Sequence, residues 1–227
     1  MTNPVFVAVD TADLARAENL VRQLSGLVGG IKLGLQFWNA HGPAGVRQVR
    51  AALGSERLFL DLKLHDIPHT VRGAVESLAP LGVDLLTVHA AGGRDMMRAA
   101  KDAAGPDVQV VGVTVLTSMA EPDLEDIGID DSAELQVARL ADLSRTAGLD
   151  GIVCSPLEVE QRRAAWPDGV FVVPGIRPEG AAMDDQKRAM PPRAALEAGA
   201  TILVIGRPIT SAADPAAAAR AIAQSLA

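Results

Sequence analysis

Eight short runs of aliphatic and β-branched residues recur along the whole chain. They cover residues 5–10, 30–35, 58–64, 85–90, 108–115, 151–155, 171–176 and 202–206. Most of them lack an alternation of apolar and polar residues, which is typical of parallel strands buried on both faces. Segments of helical periodicity separate the runs. Between the first two, apolar residues from Leu14 to Leu24 repeat at helical spacing, and Gly26 follows as a plausible end of the helix.

Eight alternating β and α units in 227 residues predict an α/β fold, a single (β/α)8 TIM barrel. Barrels of this kind have about 250 residues. An open doubly wound sheet is the structural alternative, but no GxGxxG motif follows the first run, which disfavours a dinucleotide-binding version. No shift in composition and no flexible linker divides the chain. We therefore expect residues 1–227 to form one domain.

The composition disfavours several classes of protein. The formal net charge is −7 and there is no run of Lys or Arg, so binding to nucleic acid or to an anionic membrane is not expected. The single cysteine, Cys154, excludes an intrachain disulfide and a cysteine-based metal cluster. No signal-peptide pattern and no apolar run long enough to span a bilayer is present. These features predict a soluble cytoplasmic protein.

Charged residues interrupt the first three apolar runs. Asp61 and Lys63 are two residues apart in the third run, so on a strand they point to the same face. Lys32 stands within the second run, and Asp10 ends the first. Because burying a charge is costly unless the charge is paired or functional, these four residues are expected to converge at one mouth of the barrel.

Lysine is rare in this chain. Only four of the 21 basic residues are lysines, at positions 32, 63, 101 and 187, and the first two lie in predicted strands. Arginine cannot release a proton near neutral pH, whereas a positioned lysine can act as an acid. A site that protonates a carbanion would explain the lysine at position 63. The alternative is a structural ion pair between Lys63 and Asp61.

Two glycine-containing turns follow the last two strands, at 173–178 and 204–208. Glycine lets the backbone approach an anion, and Arg177 and Arg207 offer planar donor groups suited to phosphate. The loops after strands seven and eight are the usual phosphate site of such barrels. The turns therefore predict a phosphate site, and the alternative is two ordinary rim turns with solvated arginines.

Polar segments also follow strands five and seven. Residues 118–134 and 177–190 are longer than ordinary connections, and both follow the ends of strands where barrel active sites lie. We interpret them as candidate mobile lids. Thr117 and Ser118, at the start of the first segment, either hydrogen-bond a polar substrate ring or only begin a turn.

Taken together, these motifs resemble the orotidine 5′-phosphate decarboxylase family, from residues 7–10 to 204–210. The most specific is FLDLKLHDIPHT at 59–70, in which Asp-x-Lys-x-x-Asp is followed by Ile-Pro. Further matching motifs lie in order at 113–119, 154–156, 174–178 and 205–208. The resemblance implies a barrel that converts orotidine 5′-phosphate to uridine 5′-phosphate in pyrimidine synthesis. It also implies a homodimer that uses neither a cofactor nor a metal.

The resemblance also implies catalytic roles. Lys32, Asp61, Lys63 and Asp66 would form an alternating charge network, in which Asp66 comes from the other subunit of the dimer. Lys63 would deliver a proton to C6 of the pyrimidine. Asp61, close to the substrate carboxylate, would add repulsion that is relieved as CO2 departs.

The remaining implied roles concern substrate binding. Asp10 and Lys32 would hold the ribose hydroxyls, and Thr70 would reach across the dimer interface. The pyrimidine would be lined by Thr117 and Ser118. The phosphate would be held by Arg177, Gly206 and Arg207, and Gln186 would link the base to the phosphate.

Two other functions compete with this interpretation. A decarboxylase or aldolase of the same barrel group, acting on a sugar phosphate with Mg²⁺, shares the Asp-x-Lys-x-x-Asp strand. The segment 116–119 and the loop with Gln186 favour the pyrimidine nucleotide. A non-catalytic barrel, such as a dimeric regulator, would bind a nucleotide without turnover. The presence of Asp61, Lys63 and Asp66 together argues against it.

Overall fold

In the computed structural model, the described residues are 3–178 and 190–226. Eight strands pair in parallel in the order β1 to β8, and β8 pairs with β1, so the sheet is a closed barrel. This confirms the predicted (β/α)8 TIM barrel. The strands are β1 Val5–Ala8, β2 Gly30–Gly34, β3 Arg57–Leu64, β4 Leu85–His89, β5 Gln109–Val113, β6 Gly151–Val153, β7 Val170–Val173 and β8 Ile202–Ile205.

At least one helix lies in every connection between consecutive strands, and two helices follow β8. The helices are α1 Leu14–Leu24, α2 Leu35–Ala52, α3 Pro68–Leu78, α4 Arg94–Ala104, α5 Glu121–Glu125, α6 Ala133–Thr146, α7 Val159–Ala165, α8 Pro192–Glu197, α9 Arg207–Thr210 and α10 Pro215–Ser225. The last helix has a capped start, since the Asp214 side chain accepts a hydrogen bond from the Ala217 N–H and Pro215 is the first helical residue. No helix among the described residues is long and apolar enough to cross a membrane.

Two apolar cores flank the sheet. The larger one fills the space between the strands and the surrounding helices. The smaller one fills the inside of the barrel and is formed by Phe6, Ala8, Phe59, Leu85, Val111, Val172, Ile202 and Val204. Apolar residues on both faces of each strand explain why the apolar runs of the sequence showed little alternation. The inner core closes the barrel below the charged residues of β2 and β3.

The amino ends of the strands are joined by a repeated pair of hydrogen bonds. In each pair, the residue directly before an even-numbered strand donates its N–H to a carbonyl of the preceding odd-numbered strand. The side-chain oxygen of this preceding residue also accepts a hydrogen bond, from the N–H of the strand residue whose carbonyl it binds. The pairs are Leu58 with Asp84, Val110 with Asp150 and Phe171 with Thr201. These bonds satisfy backbone groups where the ladder begins.

The first strand pair reaches the same result with a different residue. Gly29 precedes β2 and donates its N–H to the Val5 carbonyl, but it has no side chain to complete the pair. Asn3 replaces it, because its side-chain oxygen accepts the Val5 N–H at 3.0 Å. The Asn3 amide also donates to the Leu27 carbonyl at 2.8 Å. The lower end of the barrel is thus fixed at all four odd-numbered strands.

The single domain over 1–227 stays a prediction. It is supported by the closure of the barrel between β1 and β8 and by the packing of the last helix, α10, against α1.

Candidate active site

A cavity of about 440 Å³ opens at the carboxyl ends of the strands. This is the end at which barrel enzymes place their active sites. The predicted site residues that line the cavity are Asp10, Lys32, Asp61, Lys63, Thr117, Arg177, Gly206 and Arg207. The structure therefore brings residues from both ends of the sequence into one site.

Four charged side chains alternate in sign along one wall of this cavity. Lys63 Nζ lies 2.7 Å from Asp61 Oδ1, and Lys32 Nζ lies 3.2 Å from Asp61 Oδ2. Lys32 Nζ is also 3.5 Å from Asp10 Oδ1. Asp61 therefore holds one lysine with each of its oxygens. The predicted convergence of these four residues at one mouth of the barrel is confirmed.

Gly34 allows the outer pair of this row to form. A Cβ atom at position 34 would lie 2.7 Å from Asp10 Oδ1 and 3.2 Å from Lys32 Nζ. Any other residue at the end of β2 would therefore push the carboxylate or the ammonium aside. The absence of a side chain at position 34 is a condition for the contact between Asp10 and Lys32.

Burial and pairing act in opposite directions on the two inner groups. Burial alone would raise the pKa of Asp61, but the charges of Lys32 and Lys63 outweigh it and hold the pKa below its ordinary value. Burial alone would lower the pKa of Lys32, but the Asp61 and Asp10 carboxylates raise it above its ordinary value. At neutral pH the row therefore contains an ionised Asp61 beside a protonated Lys32.

Lys63 leaves the regular geometry of β3. Its φ of 49° lies in the left-handed region, and it is the one non-glycine residue with positive φ among the described residues. The pairing of β3 with β4 shifts register between Leu60 and Leu64. Such conformations persist only where the surrounding structure holds them, and they cluster at functional sites. The prediction that Asp61 and Lys63 point to the same face assumed a regular strand, and β3 is not regular at Lys63.

Sequence reasoning missed Thr87, which lies beside this irregularity. Its hydroxyl oxygen accepts the Lys63 N–H at 2.9 Å, and the hydroxyl donates to Asp61 Oδ1 at 3.0 Å. Thr87 is fully buried in β4. The one available signal was a hydroxyl-bearing residue within the apolar run 85–90.

The predicted phosphate side of the cavity is built from the turns after β7 and β8. Gly175, with φ of 74°, makes the left-handed turn that directs the chain toward Arg177. Arg177 is buried and donates from Nη1 to the Ile176 carbonyl at 3.1 Å. Arg207 and Gly206 line the same cavity from the turn after β8. Two guanidinium groups at one cavity form an arrangement suited to a phosphate group.

The wall from β5 and β6 is apolar. Val113, Val115, Val153 and Cys154 line it. Burial raises the pKa of the Cys154 thiol, and the Glu158 carboxylate raises it further. Cys154 is therefore a neutral, buried thiol at neutral pH. Among the residues that the structure describes, no group of three or more His, Cys, Asp or Glu side chains is arranged to hold a metal ion.

Three predicted site residues, Asp66, Thr70 and Ser118, do not line the cavity of the isolated chain. Asp66 and Thr70 are exposed after the end of β3, and the Asp66 carboxylate accepts the Ile67 N–H at 2.6 Å. Ser118 is exposed after β5. Gln186 lies outside the described residues, as does most of the predicted lid 177–190. The roles of these residues stay predictions.

Comparisons with known proteins identify the relatives of this chain. The family model described as Orotidine 5′-phosphate decarboxylase / HUMPS family matches residues 3–222. Proteins named orotidine 5′-phosphate decarboxylase from Sphingopyxis alaskensis and Novosphingobium aromaticivorans are each 54% identical over 226 residues, with 100% of both chains covered. The solved orotidine 5′-phosphate decarboxylase from Lactobacillus acidophilus is 34% identical, with a TM-score of 0.87 over 99% of each chain.

Proposed function

Because the chain belongs to the orotidine 5′-phosphate decarboxylase / HUMPS family, it is an enzyme that decarboxylates orotidine 5′-phosphate in pyrimidine synthesis, and we propose that it does so without a cofactor, through a C6 carbanion that Lys63 protonates. The observation that carries this mechanism is the Lys63 ammonium, 2.7 Å from Asp61 at the wall of the cavity.

The reaction poses a specific electrostatic problem. When the bond between C6 and the carboxylate breaks, CO2 leaves and the electron pair stays on C6. That carbon has no adjacent carbonyl group to delocalise the pair. A cation fixed in position before the reaction can stabilise such developing charge without reorganisation.

Lys63 has the chemistry for this role. Its ammonium group would first stabilise the carbanion and then transfer one proton from Nζ to C6, which gives uridine 5′-phosphate and a neutral amine. Solvent would return the proton to the amine before the next turnover. An arginine in its place would supply charge but no transferable proton.

Asp61 and Lys32 hold Lys63 in place. An ionised Asp61 orients the Lys63 ammonium, and Lys32 on the other oxygen of Asp61 prevents that carboxylate from turning away. The Asp61 charge would also repel the substrate carboxylate, a repulsion that disappears when CO2 leaves. In this mechanism Asp61 both positions the acid and disfavours the bound reactant.

The other groups of the cavity would bind the parts of the nucleotide that do not react. Asp10 and Lys32 suit the ribose hydroxyls, and Thr117 suits the polar edge of the base, together with Ser118. The phosphate would be gripped by Arg177, Arg207 and Gly206 and linked to the base by Gln186. Binding energy from the phosphate would serve catalysis at the distant C6 atom.

We also propose a homodimer in which Asp66 and Thr70 reach the active site of the neighbouring subunit. Both residues are exposed and lie outside the cavity of their own chain. Ile67 between them is 66% exposed, so a second subunit that covered this turn would bury apolar surface. A cytoplasmic location fits a biosynthetic enzyme whose one cysteine, Cys154, is free.

The experiment mixes purified protein with orotidine 5′-phosphate in the presence of EDTA and follows both ultraviolet absorbance and CO2 release. Turnover at equal rates with and without EDTA is the expected result. Loss of turnover in EDTA would contradict cofactor-free catalysis. Binding of uridine 5′-phosphate without any turnover would contradict the enzymatic function.

A further inference from the structure

Thr87 closes a ring of hydrogen bonds with the two central residues of the site. Its oxygen accepts the Lys63 N–H at 2.9 Å, its hydroxyl donates to Asp61 Oδ1 at 3.0 Å, and the same oxygen of Asp61 accepts from Lys63 Nζ at 2.7 Å. We propose that Thr87 is a positioning residue that fixes the backbone of Lys63 and the side-chain carboxylate of Asp61. This inference rests on the catalytic roles proposed above for those two residues.

The first bond concerns the backbone of Lys63. The shift in register between Leu60 and Leu64 interrupts the ladder between β3 and β4 at this residue. A buried N–H without a hydrogen-bond partner destabilises the folded state. Thr87 supplies the missing acceptor from the adjacent strand and so helps to hold the left-handed backbone of Lys63, with φ of 49°.

The second bond concerns the carboxylate of Asp61. Asp61 Oδ1 receives both the Thr87 hydroxyl and the Lys63 ammonium, whereas Oδ2 faces Lys32 at 3.2 Å. Because the hydroxyl comes from a residue of a buried strand, it fixes the rotation of the carboxylate. The carboxylate in turn fixes the position of Lys63 Nζ relative to the cavity.

Thr87 acts through its neighbours and does not line the cavity itself. Its side chain is fully buried, and no buried side-chain nitrogen or oxygen among the described residues lacks a hydrogen-bond partner. A hydroxyl inside an apolar strand is costly unless its bonds are satisfied. Here the Thr87 hydroxyl is bonded to two residues of the site, Lys63 and Asp61. A valine of the same shape would make neither bond.

The test compares T87V, T87S and a matched control, T201V. Thr201 also accepts a strand N–H, that of Phe171 at 2.8 Å, but it does so at the opposite end of the barrel. Each variant is assayed for kcat, KM, affinity for uridine 5′-phosphate and melting temperature. We expect T87V to lower kcat about 10- to 100-fold with KM changed less than about threefold, because small displacements of catalytic groups have effects of this size.

The controls separate positioning from stability. T87S restores the hydroxyl, so we expect its kcat within about threefold of the wild type. We expect T201V to lower the melting temperature like T87V but to keep the wild-type kcat. In T87V the acidic limb of the pH profile shifts to higher pH, because Asp61 loses a donor that favours its charged form.

Several results would overturn the inference. One is a T87V enzyme with wild-type kcat, and another is an equal loss of kcat in T87V and T201V. If T87V does not fold, the comparison of T87S with T87A decides, and equal kcat values in these two would contradict the proposal. A wild-type protein without decarboxylase activity would instead overturn the proposed function, and this inference with it.

Discussion

The ammonium of Lys63 lies 2.7 Å from the carboxylate of Asp61, and only one residue separates the two in β3. In a regular strand these side chains would stand side by side on one face. Here the backbone of Lys63 is left-handed, and Thr87 binds its N–H. The Lys63 ammonium and the Asp61 carboxylate therefore meet at a local break in β3, at the wall of a cavity that two arginines share.

The proposed exchange of Asp66 between the two subunits of a dimer predicts complementation. D66N and K63A homodimers should both be nearly inactive. When the two proteins are mixed and allowed to exchange subunits, heterodimers regain one site with both residues intact. Random pairing makes half of the dimers mixed, so activity should return to about a quarter of the wild-type value. No recovery, with heterodimers verified by mass, would place Asp66 in its own subunit's site or outside catalysis.

Replacing Arg207 should weaken phosphate binding selectively. A hydrogen bond to a charged group contributes about 1.5–3 kcal/mol, so R207A should lower kcat/KM for orotidine 5′-phosphate about 10- to 100-fold. Orotidine, which lacks the phosphate, should be processed at the same rate by R207A and wild type. The control is R193A, which removes an exposed arginine paired with Glu197 at 3.0 Å on α8. An equal loss for both substrates would contradict the phosphate role.

Gly34 predicts a steric effect on the Asp10–Lys32 contact. In G34A the new Cβ would lie 2.7 Å from Asp10 Oδ1, so the half-exposed Asp10 side chain should move away. We expect KM for the nucleotide to rise about 3- to 10-fold, the effect of one or two lost hydrogen bonds. A double-mutant cycle with D10A checks the route. If G34A still raises KM in the D10A background, Asp10 does not transmit the effect.

Glu56 predicts a pH-dependent contribution to stability at the lower end of the barrel. Its carboxylate accepts N–H groups from Gly26 and Gly54 and so joins the turns before β2 and β3. Burial alone would raise the pKa of Glu56, but these backbone donors hold it below its ordinary value. Since the folded pKa is depressed, the stabilisation is complete above the ordinary pKa near 4.5 and is lost as pH falls through the folded value.

E56Q should therefore lower the free energy of unfolding by about 1–3 kcal/mol at pH 7, because a charged acceptor is lost. The gap between E56Q and wild type should narrow toward pH 3. Urea unfolding at pH 7 and pH 3 measures this difference in the free energy of unfolding, with E160Q on the exposed face of α7 as the control. A gap that is independent of pH would contradict the role of the charge.

The fold followed from the sequence more completely than the site. Buried parallel strands need apolar residues on both faces, so the positions of all eight strands were visible as apolar runs. The charges of Lys32, Asp61 and Lys63 stood out against that background. The left-handed backbone of Lys63 did not, because it depends on the register between β3 and β4. Thr87 was also missed, because a single threonine is ordinary in a strand.

The position of Asp66 shows a second limit of the sequence. β3 ends at Leu64, where the predicted run 58–64 also ends, and Asp66 lies in the exposed turn before α3. Local periodicity does not determine which site an exposed carboxylate serves, and in the proposed dimer the second subunit would determine it. The arginines of the two rim turns were predictable, because the barrel fixes where the loops after β7 and β8 must lie.

The most direct test of the mechanism is the K63A variant, measured for both single-turnover decarboxylation and the affinity for uridine 5′-phosphate. Removing a preorganised stabilising group costs about 10²- to 10³-fold in rate, and loss of the proton donor adds to that. We therefore expect turnover to fall by at least about 10³-fold while nucleotide affinity stays within about tenfold of the wild type. Weak nucleotide binding with normal turnover would contradict the assignment of Lys63 as the proton donor.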